Sequence, residues 1–203
     1  MNRLIEESRI TFYKDKSVIT KSDFLAIEAP LELEIRYWDH ARPIKKDLVL
    51  LMRSPGSDED LVRGFLLSEG IINKGEDIDR IQLVDNRHRS EEKADKAVVF
   101  IKKDIQIDSE KLNRNFISSS SCGFCGKDNM ESLNESCFIL PKGGFQLHAE
   151  LILQLKEKLN KAQEAFDQTG GVHGVGVLDS KGEIEYLMED VGRHNALDKV
   201  IGL

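Results

Sequence analysis

The chain of 203 residues is poor in cysteine and has no long apolar run, and each shortage excludes a class of protein. Its three cysteines are an odd number, which argues against a framework of structural disulfides in a reducing compartment. The longest apolar runs, residues 48–52 and 97–101, are far shorter than the roughly 18 residues that a membrane-spanning helix needs. The first ten residues contain two glutamates and lack the apolar centre of a signal peptide, so we expect a cytoplasmic location and no membrane association.

An excess of basic residues is also lacking. The 29 Lys and Arg residues face 36 Asp and Glu residues, which gives a formal net charge of −7. A general nucleic-acid-binding protein needs a basic field over a whole face, so we expect no nucleic-acid partner, although a local basic pocket stays possible. Hydrophobic residues make up 40% and charged residues 32% of the chain, a balance that is typical of a folded globular protein and excludes disorder.

The order of strand and helix patterns predicts a layered α/β fold with a mixed sheet and helices. A hairpin is expected over residues 9–20, and the period of two in residues 31–36 predicts a half-buried strand. Ser57 is expected to cap a helix whose buried side includes Leu61 and Phe65. Further strands are expected over residues 46–53, 78–84, 96–102, 173–178 and 183–188, and further helices over residues 128–135 and 149–167 and from about residue 194.

Two portions of the chain differ in character. We expect residues 1–110 to form a smaller, β-rich N-terminal portion with one helix, and residues 111–203 to hold a cysteine loop and an α/β core. The two portions are expected to make one structural unit.

The cysteine loop is the most reactive-looking segment of the chain. Cys122 and Cys125 are three positions apart, with four serines before them and glycines between and after them. This pliable, polar composition favours exposed sulfur atoms. Lys127 and the start of the helix expected next would favour the thiolate, which is the nucleophilic form of cysteine.

Several chemistries fit two cysteines at this spacing. A redox pair would need the motif at the start of a helix directly after an apolar strand, whereas four serines precede it here. A pair of buried cysteines conflicts with the Ser and Gly composition of the loop. A structural zinc site would need two more ligands, which Cys137 with His148 or His173 could supply, although Cys137 also fits a small core residue. A zinc deaminase is disfavoured because the H-x-E motif at residues 148–150 follows the cysteine pair instead of preceding it. An exposed cysteine that carries sulfur as a persulfide fits the loop best.

A second polar cluster occupies residues 189–195, where a strand is expected to lead into the last helix. It combines carboxylates, Arg193, His194 and an amide, and helix N–H groups together with Arg193 could hold an anion there. His173 and His194 could bind phosphate or carry protons if they face one cavity, whereas either histidine alone fits a structural role.

Five segments, taken together, carry a resemblance to one known family. They are PLELEIR at 30–36, DEDLVRGFLLSEGII at 58–72, SSSCGFCGK at 119–127, TGGVHGVGVLD at 169–179 and EDVGRHNALDKVIG at 189–202. In these segments, which span nearly the whole chain, the sequence resembles the formate dehydrogenase accessory sulfurtransferase family, FdhD. The resemblance implies a protein that accepts sulfur from a cysteine desulfurase and passes it to a molybdenum or tungsten bis-molybdopterin guanine dinucleotide cofactor before insertion into formate dehydrogenase.

The resemblance also implies roles for individual residues. Cys122 matches the persulfide-bearing cysteine of the family and Cys125 its partner, while Lys127, His173, Arg193 and His194 are the candidates for binding the anionic cofactor. The cofactor is expected as a bound substrate, with no permanent cofactor and no metal site. The family implies a cytidine deaminase-like core and a homodimer. Its members continue beyond the position that matches residue 203 with a segment that helps to bind the cofactor. We expect this chain to lack that segment.

Overall fold

The computed structural model describes residues 4–85, 94–112 and 148–203. The cysteine loop, the helix expected over residues 128–135 and most of the connector between the strands at 78–84 and 96–102 lie outside these ranges. The predictions for Cys122, Cys125, Lys127 and Cys137 therefore stay predictions.

The N-terminal hairpin is confirmed and is longer than the sequence pattern indicates. Strands β1 (Ile5–Lys14) and β2 (Ser17–Ala26) pair antiparallel, and Asp15 and Lys16 form the tip with φ values of 54° and 63°. Two successive residues with positive φ give a turn whose twist matches that of the paired strands.

A four-stranded mixed sheet follows, as predicted. It consists of β3 (Ala29–Asp39), β4 (Arg42–Arg53), β5 (Ile78–Val84) and β6 (Asp95–Ile101) in the order β4-β3-β6-β5. Strand β3 pairs parallel with β6, whereas the β3–β4 and β5–β6 pairs are antiparallel. The parallel pair requires a crossover, and helix α1 (Asp58–Ser68) lies in that connection.

The core lies between one face of this sheet and α1. Leu31, Leu33 and Ile35 are at most 1% exposed, so the predicted face of β3 is confirmed. They pack in one cluster with α1, whose Leu61 and Leu66 are fully buried. Burying a side chain of this size contributes about 1.5–3 kcal/mol relative to leaving it exposed, so this cluster supplies much of the driving force for folding.

The start of α1 differs from the prediction. Ser57 takes the N-cap position, but its backbone is left-handed (φ 51°, ψ 36°) and its side chain makes no capping hydrogen bond. A capping side chain reaches the first-turn N–H groups from an extended backbone, which Ser57 does not have. The acidic first turn, Asp58 to Asp60, compensates the helix dipole instead. Gly70, just after α1, has a positive φ of 64°, which glycine adopts without strain at the end of a helix.

The described residues after β6 form a second two-stranded ribbon and four helices. A one-turn helix, α2 (Ser109–Leu112), precedes the segment outside the described ranges. Then come α3 (Ala149–Ala162), α4 (Glu164–Thr169), the antiparallel strands β7 (His173–Leu178) and β8 (Ile184–Asp190), and α5 (Arg193–Ile201). The predicted boundary between portions at residues 110 and 111 stays a prediction.

The prediction of a single helix over residues 149–167 is wrong in one respect, because the helix breaks at Gln163. The backbone of Gln163 leaves the helical region (φ −82°, ψ 88°), and its buried side chain lies against Gly174 of β7. The carboxylate of Glu189 then accepts hydrogen bonds from the N–H groups of Ala165 and Phe166 and so caps the new helix α4. Phe166, at the start of this new helix, is 41% exposed.

Helices α1 and α5 pack so closely that the backbone of each approaches a glycine of the other. A Cβ atom on Gly64 of α1 would lie 1.8 Å from the backbone oxygen of Asp198 in α5, and one on Gly202 would lie 1.9 Å from the oxygen of Asp60. Arg63 also donates a hydrogen bond to the carbonyl oxygen of Gly202. No helix within the described ranges is both long enough and apolar enough to cross a membrane.

We expect Gly64→Ala to destabilise the protein, although alanine is favoured over glycine in a helix by about 1 kcal/mol. The added Cβ has no room beside the backbone of Asp198, and overpacking of this kind costs about 1–3 kcal/mol. Urea unfolding measures the change in free energy. The matched control is Gly176→Ala, whose Cβ would meet its nearest neighbour at 3.5 Å, an ordinary contact. A Gly64→Ala variant more stable than wild type would contradict the close approach.

Candidate functional site

The described candidate residues lie at one end of the β7–β8 ribbon. His173 begins β7 and is exposed, and the strand register places it directly opposite Asp190, the last residue of β8. Arg193 and His194 begin α5 three and four residues later. Backbone topology thus brings these three side chains to the same junction. Their roles in binding the cofactor stay predictions.

The junction is organised by Asp190, which is completely buried. One carboxylate oxygen, Oδ1, accepts hydrogen bonds from the N–H of Gly192 at 2.8 Å and from the Asn195 side chain at 3.0 Å. The other oxygen, Oδ2, accepts from the N–H of Ser54 at 3.0 Å and lies 2.7 Å from Nζ of Lys199. Both oxygens are therefore satisfied, which a buried carboxylate requires.

Lys199 is the charged partner of Asp190 and is itself 1% exposed. Its Nζ also donates to the carbonyl oxygen of Ser54 at 2.9 Å and to that of Glu189 at 3.4 Å. The ammonium group thus has three oxygen acceptors, as many as it has protons. The pair is complete within the protein and leaves neither charge available to a ligand.

The junction is anchored to the end of β4 by further polar contacts. The side chain of Asn195 donates to the carbonyl oxygen of Met52 at 2.8 Å, and the N–H of Val191 donates to Oγ of Ser54 at 3.1 Å. Together with the contacts of Asp190 and Lys199 to Ser54, these bonds hold the first turn of α5 in one position relative to the sheet.

A second buried cation, Arg53, fixes the end of β4 to α1 and β6. Its guanidinium group bonds both oxygens of Asp58 at 3.0 and 2.9 Å, Oδ2 of Asp95 at 2.8 Å and the carbonyl oxygen of Ala29 at 3.1 Å. Burial alone would lower the pKa of Arg53, but the hydrogen bonds with Asp58 and Asp95 outweigh it and raise the pKa. The cation is therefore permanent, and it links β4 to α1 and β6.

The side chains of Arg193 and His194 differ from this network because both are exposed. Within the described ranges neither side chain has a hydrogen-bond or ion-pair partner. They lie at the first turn of α5, where N–H groups without intrahelical partners carry partial positive charge. A guanidinium group, an imidazole and a helix N-terminus on a rigid support can hold an anion.

Asp198 faces the opposite way, toward α1. Its carboxylate accepts a hydrogen bond from Oγ of Ser68 at 2.7 Å. Burial raises the pKa of Asp198 to about 6, with Glu69 adding to the rise and the Ser68 hydrogen bond opposing it. It is a helix-packing residue at the contact of α1 with α5, away from the exposed face of the junction.

Sequence reasoning grouped residues 189–195 as one polar cluster and missed how the cluster divides. Asp190, Asn195 and Glu189 are structural, since each is bonded to another element, and Lys199, Ser54 and Arg53 complete the support. The only sequence signal for this support is an Arg–Ser pair at the end of the apolar run of β4. No group of three or more His, Cys, Asp or Glu residues that could hold a metal ion occurs within residues 4–85, 94–112 and 148–203.

Comparison with known proteins identifies the family. Residues 26–203 match the FdhD/NarQ family. The chain belongs to the FdhD/NarQ family. Among curated FdhD proteins, it is 36% identical to the sulfur carrier protein FdhD of Saccharolobus solfataricus over 189 residues, covering 93% of this chain and 65% of that protein. It is 32% identical to the sulfur carrier protein FdhD of Streptomyces avermitilis over 205 residues, covering 100% of this chain and 70% of that protein.

A solved structure shares the fold of this FdhD/NarQ protein. It is the crystal structure of a protein from Desulfotalea psychrophila assigned as a formate dehydrogenase accessory protein, with a TM-score of 0.67 and 23% sequence identity. The match covers 98% of this chain and 68% of that one. This chain therefore spans about two thirds of the length of these relatives. The family match over residues 26–203 confirms the predicted family resemblance.

We expect Lys199→Met to destabilise the protein by about 3–5 kcal/mol, because it leaves the buried Asp190 carboxylate without its charged partner. Urea unfolding monitored by circular dichroism measures the loss. Lys161→Met is the matched control, since Lys161 pairs with Glu157 on the exposed face of α3 and its replacement should change stability little.

The double variant Asp190→Asn/Lys199→Met removes both charges and should recover part of the stability lost in Lys199→Met. If Lys199→Met unfolds at the same urea concentration as Lys161→Met, the buried pair is not what holds the junction.

Proposed function

We propose that this protein is a sulfurtransferase. It accepts sulfur from a cysteine desulfurase as a persulfide on Cys122 and delivers it to a molybdenum or tungsten bis-molybdopterin guanine dinucleotide cofactor needed by formate dehydrogenase. The observation that carries the proposal is membership of the FdhD/NarQ family, whose curated relatives are named sulfur carrier proteins, in a chain that contains a Cys-x-x-Cys pair.

The loading step is a thiol–persulfide exchange. The Cys122 thiolate attacks the terminal sulfur of the donor's cysteine persulfide, a new S–S bond forms on Cys122, and the donor cysteine leaves as a thiolate. No net oxidation occurs, because one S–S bond replaces another. Cys125, three positions along the chain, assists relay or release of the bound sulfur.

The cofactor is an anionic substrate that has to be oriented while sulfur is passed to it. The exposed side chains of Arg193 and His194 suit this task because the buried Asp190–Lys199 pair holds the first turn of α5 in place. His173, across from Asp190, and Lys127 of the cysteine loop complete the proposed set. Rigid support beneath exposed cationic groups reduces the entropy lost when the cofactor binds.

The same proposal covers the location, oligomeric state, partners and core fold of the protein. We place the protein in the cytoplasm, as a homodimer that meets a cysteine desulfurase and formate dehydrogenase, and assign the C-terminal part to a cytidine deaminase-like core. The mixed sheet with helices supports an α/β architecture, and the charge of −7 supports the absence of a nucleic-acid partner.

Mass spectrometry after incubation with a cysteine desulfurase and cysteine tests the loading step. We expect the peptide that contains Cys122 to gain the mass of one sulfur atom, and Cys122→Ala to abolish the gain because no other residue carries the first persulfide. Cys137→Ala is the matched control and should keep the label.

Two results would contradict sulfur loading at Cys122: no added sulfur in wild type, or labelling that Cys122→Ala leaves unchanged. Near-stoichiometric zinc that is lost in Cys125→Ser would point to a zinc-stabilised docking module. Cofactor binding without any sulfur loading would point to a chaperone that only holds the cofactor.

We expect Arg193→Gln/His194→Gln to load sulfur on Cys122 normally but to bind the cofactor about tenfold or more weakly. A hydrogen bond to a charged group contributes about 1.5–3 kcal/mol, and exposed side chains can be removed without loss of packing. Cofactor affinity and persulfide mass are the two measurements. The control is Arg9→Gln/His40→Gln, which removes an exposed arginine and an exposed histidine elsewhere. Equal cofactor affinities in the two double variants would exclude the junction as the cofactor site.

A further inference from the structure

A groove lies on the four-stranded sheet, on the side that faces away from the core. Arg36 and Trp38 line it from β3, where they alternate with the core residues Ile35 and Tyr37. The volume of the groove is about 860 Å³. All four strands of the sheet contribute lining residues, together with the segment that follows β6: Arg36, Tyr37, Trp38, Pro43, Ile44, Lys45, Asp79, Arg80, Phe100, Ile101, Lys102, Lys103 and Asp104.

Three cations and one aromatic ring form a row across the groove. The strand register pairs Lys45 with Arg36, Arg36 with Phe100, and Phe100 with Arg80. Neighbouring strands are about 4.8 Å apart, so the row extends about 14 Å across the sheet. An extended polypeptide rises about 3.3 Å per residue, so about four of its residues span the row. A single small acid would reach only part of it.

Aromatic rings hold these cations in place and provide apolar surface beside them. The guanidinium carbon of Arg80 lies 3.9 Å, and that of Arg36 5.1 Å, from the centre of the Phe100 ring. Nζ of Lys103 lies 4.6 Å from the centre of the Trp38 ring. A cation over an aromatic ring is held by the electrons of the ring, so the positive groups have defined positions before any partner binds.

The cations of the row already bind a carboxylate within the protein. The buried Glu34 accepts a hydrogen bond from Arg36 at 2.7 Å and lies 3.2 Å from Nζ of Lys45 and 2.7 Å from that of Lys96. Burial alone would raise the pKa of Glu34, but hydrogen bonds from Lys96, Arg36 and Lys45 lower it to about 2. One negative charge thus serves three cations, which leaves part of their positive charge unbalanced.

The groove as a whole is positive on an acidic protein. Among its described lining residues, five lysines and arginines face two aspartates, Asp79 and Asp104, whereas the overall charge of the chain is −7. Asp79 lies 3.4 Å from Arg80, and both side chains are more than half exposed. Such an exposed pair contributes little to stability, so a carboxylate of a partner can take the place of Asp79 at little cost.

We propose that this groove docks an extended acidic segment of a partner protein. Its carboxylates lie against the row from Lys45 to Arg80, and the apolar side chains between them pack against Phe100, Trp38 and Pro43. Charge complementarity of this kind speeds the encounter of two proteins and suppresses wrong partners. A nucleic acid fits less well, because the acidic surface of the protein repels a long chain of phosphates.

The groove is separate from the anion site proposed at the start of α5. Strand β4 enters the groove at residues 43–45 and reaches the α5 junction at Met52 and beyond. Seven or more residues of extended strand put roughly 23 Å or more between the two places. Docking in the groove therefore goes beyond the proposed sulfur transfer and can be measured without it.

Trp38, the single tryptophan of the chain, reports on the groove directly. The probe is a synthetic peptide of about twelve residues in which pairs of glutamates alternate with pairs of leucines, so that each side of the extended peptide carries both. We expect this peptide to change the Trp38 fluorescence in a saturable way, with an affinity that falls as salt screens the charges. The matched peptide with glutamine for glutamate should bind about tenfold or more weakly, because it lacks the charges.

Calorimetry measures the affinities of variants, because Lys103 contacts the reporter ring itself. Arg80→Gln/Lys103→Gln should weaken binding of the acidic peptide about tenfold, since each exposed ion pair contributes up to about fivefold in affinity. Arg9→Gln/Lys21→Gln is the matched control. It removes an arginine and a lysine from the N-terminal hairpin, where Lys21 stacks over Phe12, and it should bind the peptide like wild type.

No saturable response to the acidic peptide, equal affinities for the two peptides, or equal affinities of the two double variants would each overturn the proposal. Equally tight binding of a thymidine oligonucleotide would also overturn it, in favour of a general polyanion surface. Self-association of the protein that Arg80→Gln/Lys103→Gln abolishes would assign the groove to a second copy of the chain instead. Cys122→Ala should bind the peptide unchanged, so failure of sulfur transfer and failure of docking are separate results.

Discussion

The buried ion pair between Asp190 and Lys199 is the interaction on which the candidate site depends. It lies where β8 turns into α5, and both partners also bond the backbone of Ser54 at the end of β4. An ion pair taken out of water stabilises a fold only when its remaining hydrogen-bonding groups are satisfied. Here those groups are all satisfied. Because breaking the pair is costly, it ties α5 to the four-stranded sheet.

This support explains how one polar motif can serve two purposes. Asn195 and Lys199 of α5 face inward and, with Asp190 at the end of β8, hold the junction. Arg193 and His194 of the same helix are exposed, and within the described ranges their side chains have no hydrogen-bond or ion-pair partner. A rigid helix start that presents two exposed cationic or protonatable groups is suited to an anionic substrate. The division follows from the helical period, which turns neighbouring residues to different sides.

Cations that other contacts hold in position occur in two places, although the overall charge is −7. The first is the start of α5, and the second is the outer face of the four-stranded sheet, where Arg36 and Arg80 flank Phe100. Both use cations that are positioned by other contacts, by the helix backbone in one case and by ring stacking and Glu34 in the other. Positioned cations lose less entropy on binding than mobile surface side chains do.

The sequence by itself determined most of the described strands and helices, and the family. The alternation in β3 and the N-terminal hairpin both follow from local preferences, which is why those predictions are confirmed. The helix break at Gln163 depended on Gly174 and Glu189, which are contacts outside the helix. The burial of Lys199 against Ser54, 145 positions earlier, likewise required the tertiary structure. A local pattern cannot show which polar side chain faces a distant backbone, since that depends on how α5, β8 and β4 pack together.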